Sequence, residues 1–173
     1  MNPVGETEFV KNIADEANQD SSQANISGIV GHVNMLLGAK ADDVLEKHVE
    51  VGGLLFKGIR HAGGWDPHEN VRSSHHNATE GLYLSDPFQE GLNTLVKRDM
   101  VFEAWQYHHQ IPQITEMAKN HPNLKIILNH FSGPLGIGPY ANKIEEIFTK
   151  WKEDLKELSM YENVYAKLGG LAM

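Results

Sequence analysis

Basic and imidazole side chains recur at matched places along this chain. His32, Arg60 with His61, His108 with His109, His130 and Lys167 each stand at or just past the end of a short apolar run. Imidazole titrates near neutrality, passes protons and is a common ligand for zinc-like ions. The sharpest instance lies in Leu124–Gly138, where the apolar run Ile126–Leu128 stops at Asn129–His130 and opens into a loop carrying Gly133, Pro134, Gly136 and Gly138. A buried strand that ends in a titratable residue and a Gly-rich loop matches the carboxyl end of a parallel strand, where α/β proteins bind ligands. A histidine that only caps its strand is the competing reading for any one position. Recurrence on successive strands favours a shared site. The 10 histidines among 173 residues leave metal and acid–base chemistry both open, and position must decide.

The elements that would carry these residues follow from hydrophobic period. Strands are predicted at Ile26–Val33, Leu54–Ile59, Val101–Trp105, 125–129 and Asn163–Leu168. Helical patterns fall at 6–14, Ala41–Val51, Gln110–Asn120 and Tyr140–Leu158, with His48 and His121 expected on helix surfaces and given no role. Asp86 reads as an N-cap, with Pro87 in the first helical position and Gln89 in the capping-box place, for a helix reaching Lys97. The loop Ala62–Ser85, with Trp65 and the pair His75–His76, is longer than a plain connection needs. Adjacent loop residues rarely give one ion two ligands, so His75–His76 is expected to be a solvated turn. Strand and helix in alternation call for right-handed βαβ units, a parallel sheet and helices on one face. Doubly wound sheets and (β/α)₈ barrels both satisfy that order. The chain has no Gly-x-Gly-x-x-Gly turn after an early strand, so nothing supports a dinucleotide site.

Composition narrows the partners. A net charge of −8 with no local Lys/Arg cluster argues against nucleic acid. No apolar run is long enough to span a bilayer, and the polar N-terminus does not read as a signal peptide. The absence of cysteine fits a reducing compartment, and a cytoplasmic location is expected.

Six segments, taken together, resemble the amidohydrolase-related family of metal-dependent TIM-barrel hydrolases, which includes lactonases and decarboxylases. They are Val4–Thr7 (VGET), Ile29–His32 (IVGH), Phe56–His61 (FKGIRH), Trp105–Gln110 (WQYHHQ), Ile127–Gly136 (ILNHFSGPLG) and Asn163–Gly170 (NVYAKLGG), in the family's order and over nearly the whole chain. The resemblance implies the fold class: α/β, a partial (β/α)₈ barrel of about five parallel strands matching the family's third to seventh. The whole of 1–173 then reads as one partial domain without the first two strands and the last. The family's first-strand His-x-His is missing, as is the aspartate after the eighth strand, and Met1 is expected to be an internal methionine of a longer protein.

By the same resemblance His130 matches the sixth-strand histidine that polarises the scissile carbonyl or binds metal, and His108 matches the fifth-strand position. His130 and Arg60 are the expected catalytic residues, His108 and His130 the expected metal ligands, and Arg60 with Tyr107 the expected substrate-binding residues. A guanidinium at Arg60 suits a carboxylate-bearing small molecule, held bidentately; a salt bridge to a loop acid is the alternative. His109 is expected to be a partly exposed neighbour, His32 and His61 to pack or bond to loops, and Lys167 to be structural. The implied cofactor is a divalent metal such as zinc, although some relatives hydrolyse without one. The implied function is hydrolysis of a lactone or cyclic ester. A decarboxylase on the same scaffold is the enzymatic alternative, and a non-catalytic fragment or binding module the alternative of another class. Sheet edges left open by missing strands would favour a homo-oligomer.

Overall fold

Five strands lie side by side in chain order, every neighbouring pair parallel, in the computed structural model, which describes residues 3–169. They are β1 (Ile29–Gly31), β2 (Phe56–Ala62), β3 (Val101–Trp105), β4 (Lys125–Leu128) and β5 (Val164–Ala166). The helices are α1 (Val4–Ala17), α2 (Ala41–Gly52), α3 (Asp86–Lys97), α4 (Ile111–Asn120) and α5 (Ile144–Leu158). Sequential parallel order with right-handed crossovers places the helices on one face. Side chains of alternate residues confirm it. Ile59, Phe102, Ala104, Ile126 and Leu128 join one buried cluster with Phe88, Leu92 and Leu95 of α3 and Ile111, Ile114 and Met117 of α4. Each such large side chain contributes about 1.5–3 kcal/mol by leaving water. The residues in between project to the other face, where the register aligns Arg60 with Glu103, Glu103 with Ile127, and Ile127 with Tyr165. Among the described residues the outer edges of β1 and β5 pair with no strand, so the sheet is an open α/β sheet, a partial barrel.

Two devices fix the strand ends. The buried Tyr83 hydroxyl shares its one proton between the carbonyls of His61 (3.1 Å) and Trp105 (2.9 Å), tying β2 to β3 where both leave the sheet. Gly91 lets α3 touch the backbone before α2: a Cβ there would meet the Met35 carbonyl oxygen at 2.4 Å.

Several boundaries differ from the sequence reading, each for a local reason. The first strand covers only Ile29–Gly31, because β1 is an edge whose pairing with β2 starts at Ile29–Phe56 and then slips. Gly53–Leu55 form a 3₁₀ turn, so β2 starts at Phe56, and its pairing with β3 extends it through Arg60 and His61 to Ala62. The N-cap of α3 is Ser85 rather than Asp86, and the Gln89 amide reaches the Tyr83 carbonyl (2.6 Å) instead of closing a capping box. The last helix begins at Ile144 rather than Tyr140, since Gly138–Tyr140 form a 3₁₀ turn and Asn142 has φ +60°. His48 and His121 are buried and not on helix surfaces. His48 lies 2.8 Å from Thr7 Oγ1 and 3.3 Å from the His32 carbonyl, and His121 lies 2.9 Å from Gln89 Oε1. Met1 and Gly170 lie outside the described residues.

Candidate active site on the inner face of the sheet

A carboxylate in the middle of an apolar strand organises the inner face. Glu103, in Val-Phe-Glu-Ala-Trp, is 2% exposed. Its Oε2 accepts from Arg60 Nη2 at 2.6 Å and Nε at 3.0 Å, and its Oε1 accepts from Lys167 Nζ. Burial alone would raise this carboxyl. The hydrogen bonds of Lys167 and Arg60, with their charges, outweigh it and hold the group below its ordinary range. Glu103 is therefore an anion clamped between two cations, a poor general base and a good orienting group. The side chains of Arg60 and Lys167 stay 43% and 45% exposed, so each keeps donors for something else. Two cations against one anion leave the row attractive to negative charge.

Asn129, just beyond β4, places its Oδ1 3.3 Å from Arg60 Nη2, and its buried Nδ2 has no partner. A buried donor without a partner is uncommon and calls for an explanation such as a bound group. Next in the chain, His130, Phe131 and Ser132 all hold left-handed backbone (φ 52°, 52° and 66°), a costly run for non-glycine residues that is kept where surrounding contacts over-determine it. Those contacts are Trp151 Nε1 donating to the Phe131 carbonyl (2.7 Å) and Gln106 Nε2 donating to Ser132 Oγ (2.8 Å). The His130 Nδ1 is buried without a partner, with Gly169 alongside.

Arg60 lines two cavities. One, about 410 Å³, includes Glu6, His32, His75, Glu103 and Lys167; the other, about 360 Å³, includes Arg72, Trp105 and Tyr107. Arg60 and Tyr107 thus share a cavity wall, although the Tyr107 hydroxyl is engaged by the Arg72 carbonyl. His108 goes elsewhere. After β3 the chain makes a 3₁₀ turn, His108–Gln110, and His108 opens on a cavity of about 240 Å³ with Lys143, Glu146, Lys150 and Asp154 around α5. Burial first, and then neighbouring His109, bring His108 down to about 4, so it is neutral at pH 7. His109, partly exposed, lies 2.9 Å from the buried carboxylate of Asp66, which also accepts from the Tyr140 hydroxyl at 2.7 Å. The His75–His76 pair lies in a turn, with His76 exposed and His75 partly buried, its ring 5.4 Å from that of His32 and 5.8 Å from that of His61.

Among the described residues no three histidine or acidic side chains are placed to hold a metal ion. The orphaned Nδ1 of His130 has the character of a donor, but one donor is not a centre, and the described residues do not fit a resident metal by themselves.

Comparison with known proteins identifies the scaffold. The family model described as amidohydrolase matches residues 2–173. The chain belongs to the amidohydrolase family. An uncharacterised protein, y4mH, from Sinorhizobium fredii is 28% identical to this amidohydrolase over 99% of its length and 52% of the relative's. An L-fucono-1,5-lactonase from Burkholderia ambifaria is 28% identical over 51% of this chain and 29% of its own. Another from Burkholderia multivorans is 23% identical over 86% of this chain and 45% of its own. The chain spans about half the length, or less, of the curated relatives it matches. A crystal structure of an amidohydrolase from Burkholderia multivorans with bound zinc superposes with a TM-score of 0.72 at 20% identity, covering 96% of this chain and 50% of that one. At that identity the likeness is one of fold. The described residues contain no helix long and apolar enough to cross a membrane.

Proposed function

We propose that this chain supplies one wall of the active-site mouth of a lactone hydrolase. In this reading Arg60 and Lys167 hold the negative charge of the acid that forms. The supporting observation is Glu103, buried and ionised, which aims both cations along one face while leaving them partly exposed. Water adds to the lactone carbonyl carbon, the ring C–O bond breaks, the alcohol oxygen takes a proton, and the product is a hydroxy acid. Charge moves onto the carbonyl oxygen during the addition and rests on the carboxylate afterwards. Preoriented cations and donors favour both states over the neutral lactone. Arg60 and Lys167 receive this charge, Asn129 Nδ2 is a third donor beside them, and His130 polarises the carbonyl. Glu103 is a positioning residue. The domain is five of a barrel's eight strands. His130 is the donor these residues would offer to a divalent metal; His108, turned toward α5, is not part of that set.

The relatives named as L-fucono-1,5-lactonases favour the lactone of a sugar acid as the substrate class. A decarboxylase would use the same Arg60 to grip a carboxylate, and the product separates the two. The protein encoded by the whole reading frame that contains these residues is incubated with a panel of sugar-acid lactones and with the corresponding carboxylic acids. Stoichiometric proton release and a ring-opened acid are expected. Release of carbon dioxide, with the lactones intact, would refute the proposal.

A further inference from the structure

Beside the charged row lies a larger cavity, about 510 Å³, at the carboxyl ends of β1 and β2. Its polar lining is Glu6, His32, Asn34, His75, His76 and Asn77, and Leu37 and Val44 supply apolar wall. Glu6, His32 and His75 also line the cavity that holds Arg60, Glu103 and Lys167, so the two spaces share a wall. The volume is that of an ordinary small-molecule site.

Hydrogen bonding fixes what this wall can offer. His32 Nδ1 lies 3.0 Å from the Arg60 carbonyl, which can only accept, so the neutral ring keeps its proton there and presents Nε2 as an acceptor. Behind it, His61 Nδ1 accepts from the Met35 amide (3.2 Å), so its Nε2–H donates to Asn77 Oδ1 (3.3 Å). Burial, the largest influence, brings His61 down to about 4 and keeps that arrangement neutral. Asn34 Oδ1 is occupied by the Leu36 amide at 3.1 Å. Among the described residues, the amide nitrogens of Asn34 and Asn77 make no hydrogen bond, and neither does the His76 ring. Asn77 Oδ1 is engaged by His75 Nδ1 as well, so the cavity offers two amide donors, the His32 Nε2 acceptor and the Glu6 carboxylate set in a largely apolar wall, with no lysine or arginine. A carboxylate has its partners in the neighbouring space, at Arg60 and Lys167. A wholly apolar group would fit the Leu37 and Val44 wall and forgo the donors and acceptors that a hydroxylated one can use. Hydroxyl groups, which donate to Glu6 and His32 and accept from the amides, satisfy the wall, and the C–H faces between them suit Leu37 and Val44.

We infer that this cavity is a specificity subsite for the polyhydroxylated arm of the acid whose carboxylate sits at Arg60 and Lys167. The inference rests on the lactone-hydrolase reading and adds the feature that tells a sugar acid from a plain one.

The test is calorimetric titration of the protein encoded by the whole reading frame that contains these residues with three acids of equal carbon number: gluconate, hexanoate and 6-aminohexanoate. Gluconate is expected to bind about tenfold or more tighter than hexanoate, the scale of discrimination that pocket contacts give. Leu37→Trp, which fills the cavity from a side chain already 43% exposed, is expected to remove that advantage and leave hexanoate binding unchanged. His76→Ala, at another exposed residue, is expected to weaken gluconate alone, and far-UV circular dichroism checks that both variants fold. Equal binding of gluconate and hexanoate, or gluconate binding indifferent to both variants, would overturn the subsite and leave the lactonase reading standing. Preference for 6-aminohexanoate would overturn it in favour of a cation site at Glu6. Binding of none of the three would remove the anion site at Arg60 and Lys167, and with it both readings.

Discussion

Replacing Glu103 by Gln keeps its shape but removes the charge that Arg60 and Lys167 face. The expected cost is about 1–3 kcal/mol, the scale of hydrogen bonds to charged groups with the partners half in water. Acid should act on several groups in turn. His61 and His108 titrate near 4 in the folded chain, chiefly through burial, against about 6.5 when unfolded. Between those values the unfolded chain binds more protons, so stability falls as pH drops from about 6.5 to about 4. The depressed Glu103 carboxyl adds a loss that begins below its ordinary value and continues through its lower folded one. Urea unfolding at pH 7, 6, 5 and 4 should show this decline, and Glu103→Gln should flatten only its most acidic part. A profile that is level from pH 7 to 4 would contradict these burials. The sequence singled out Arg60 and His130 because each follows an apolar run, and read Lys167, at a matching place, as structural. It hid Glu103, which reads as one acid inside such a run until the register sets it beside Arg60. A charged residue in a buried strand is almost never unpaired, and that signal was present in Val-Phe-Glu-Ala-Trp. His108 matched its motif, yet the turn that follows β3 decides where its ring goes, and periodicity does not encode a 3₁₀ turn.

At the level of elements, the most sensitive seat is that of α3 on the segment before α2. Gly91 allows this approach, and any Cβ there would press on the Met35 backbone, which has no rotamer to yield. Gly91→Ala should therefore destabilise the fold by about 3 kcal/mol, the upper end for overpacking, although alanine is the better helix former. A thermal midpoint equal to that of the original chain would mean that α3 sits less tightly than described. Strand order and helix placement were legible because apolar period and turn residues reflect burial on one face or two. The strand ends were not, since β1 is cut short by its single partner and β2 prolonged by its second.

For the whole molecule, an open sheet with Val30 and Tyr165 exposed on its inner face is part of a barrel, and under the proposed function one wall of its site. The 173 residues contain no His-x-His, and the described ones gather no three metal ligands. The chain by itself should accordingly show no lactone turnover with or without zinc, and should bind zinc far more weakly than the protein of the whole reading frame. Metal-dependent turnover by the 173-residue chain, lost in His130→Ala, would contradict this. The central claim, that the charged row on the inner face serves lactone hydrolysis, is tested most directly by kcat/KM for a sugar-acid lactone in the whole-frame protein carrying Arg60→Ala. A loss of about 100-fold is expected, the lower end for removing a group that stabilises developing oxyanion charge. A value within about twofold of the unsubstituted protein, with the fold intact, would contradict the claim.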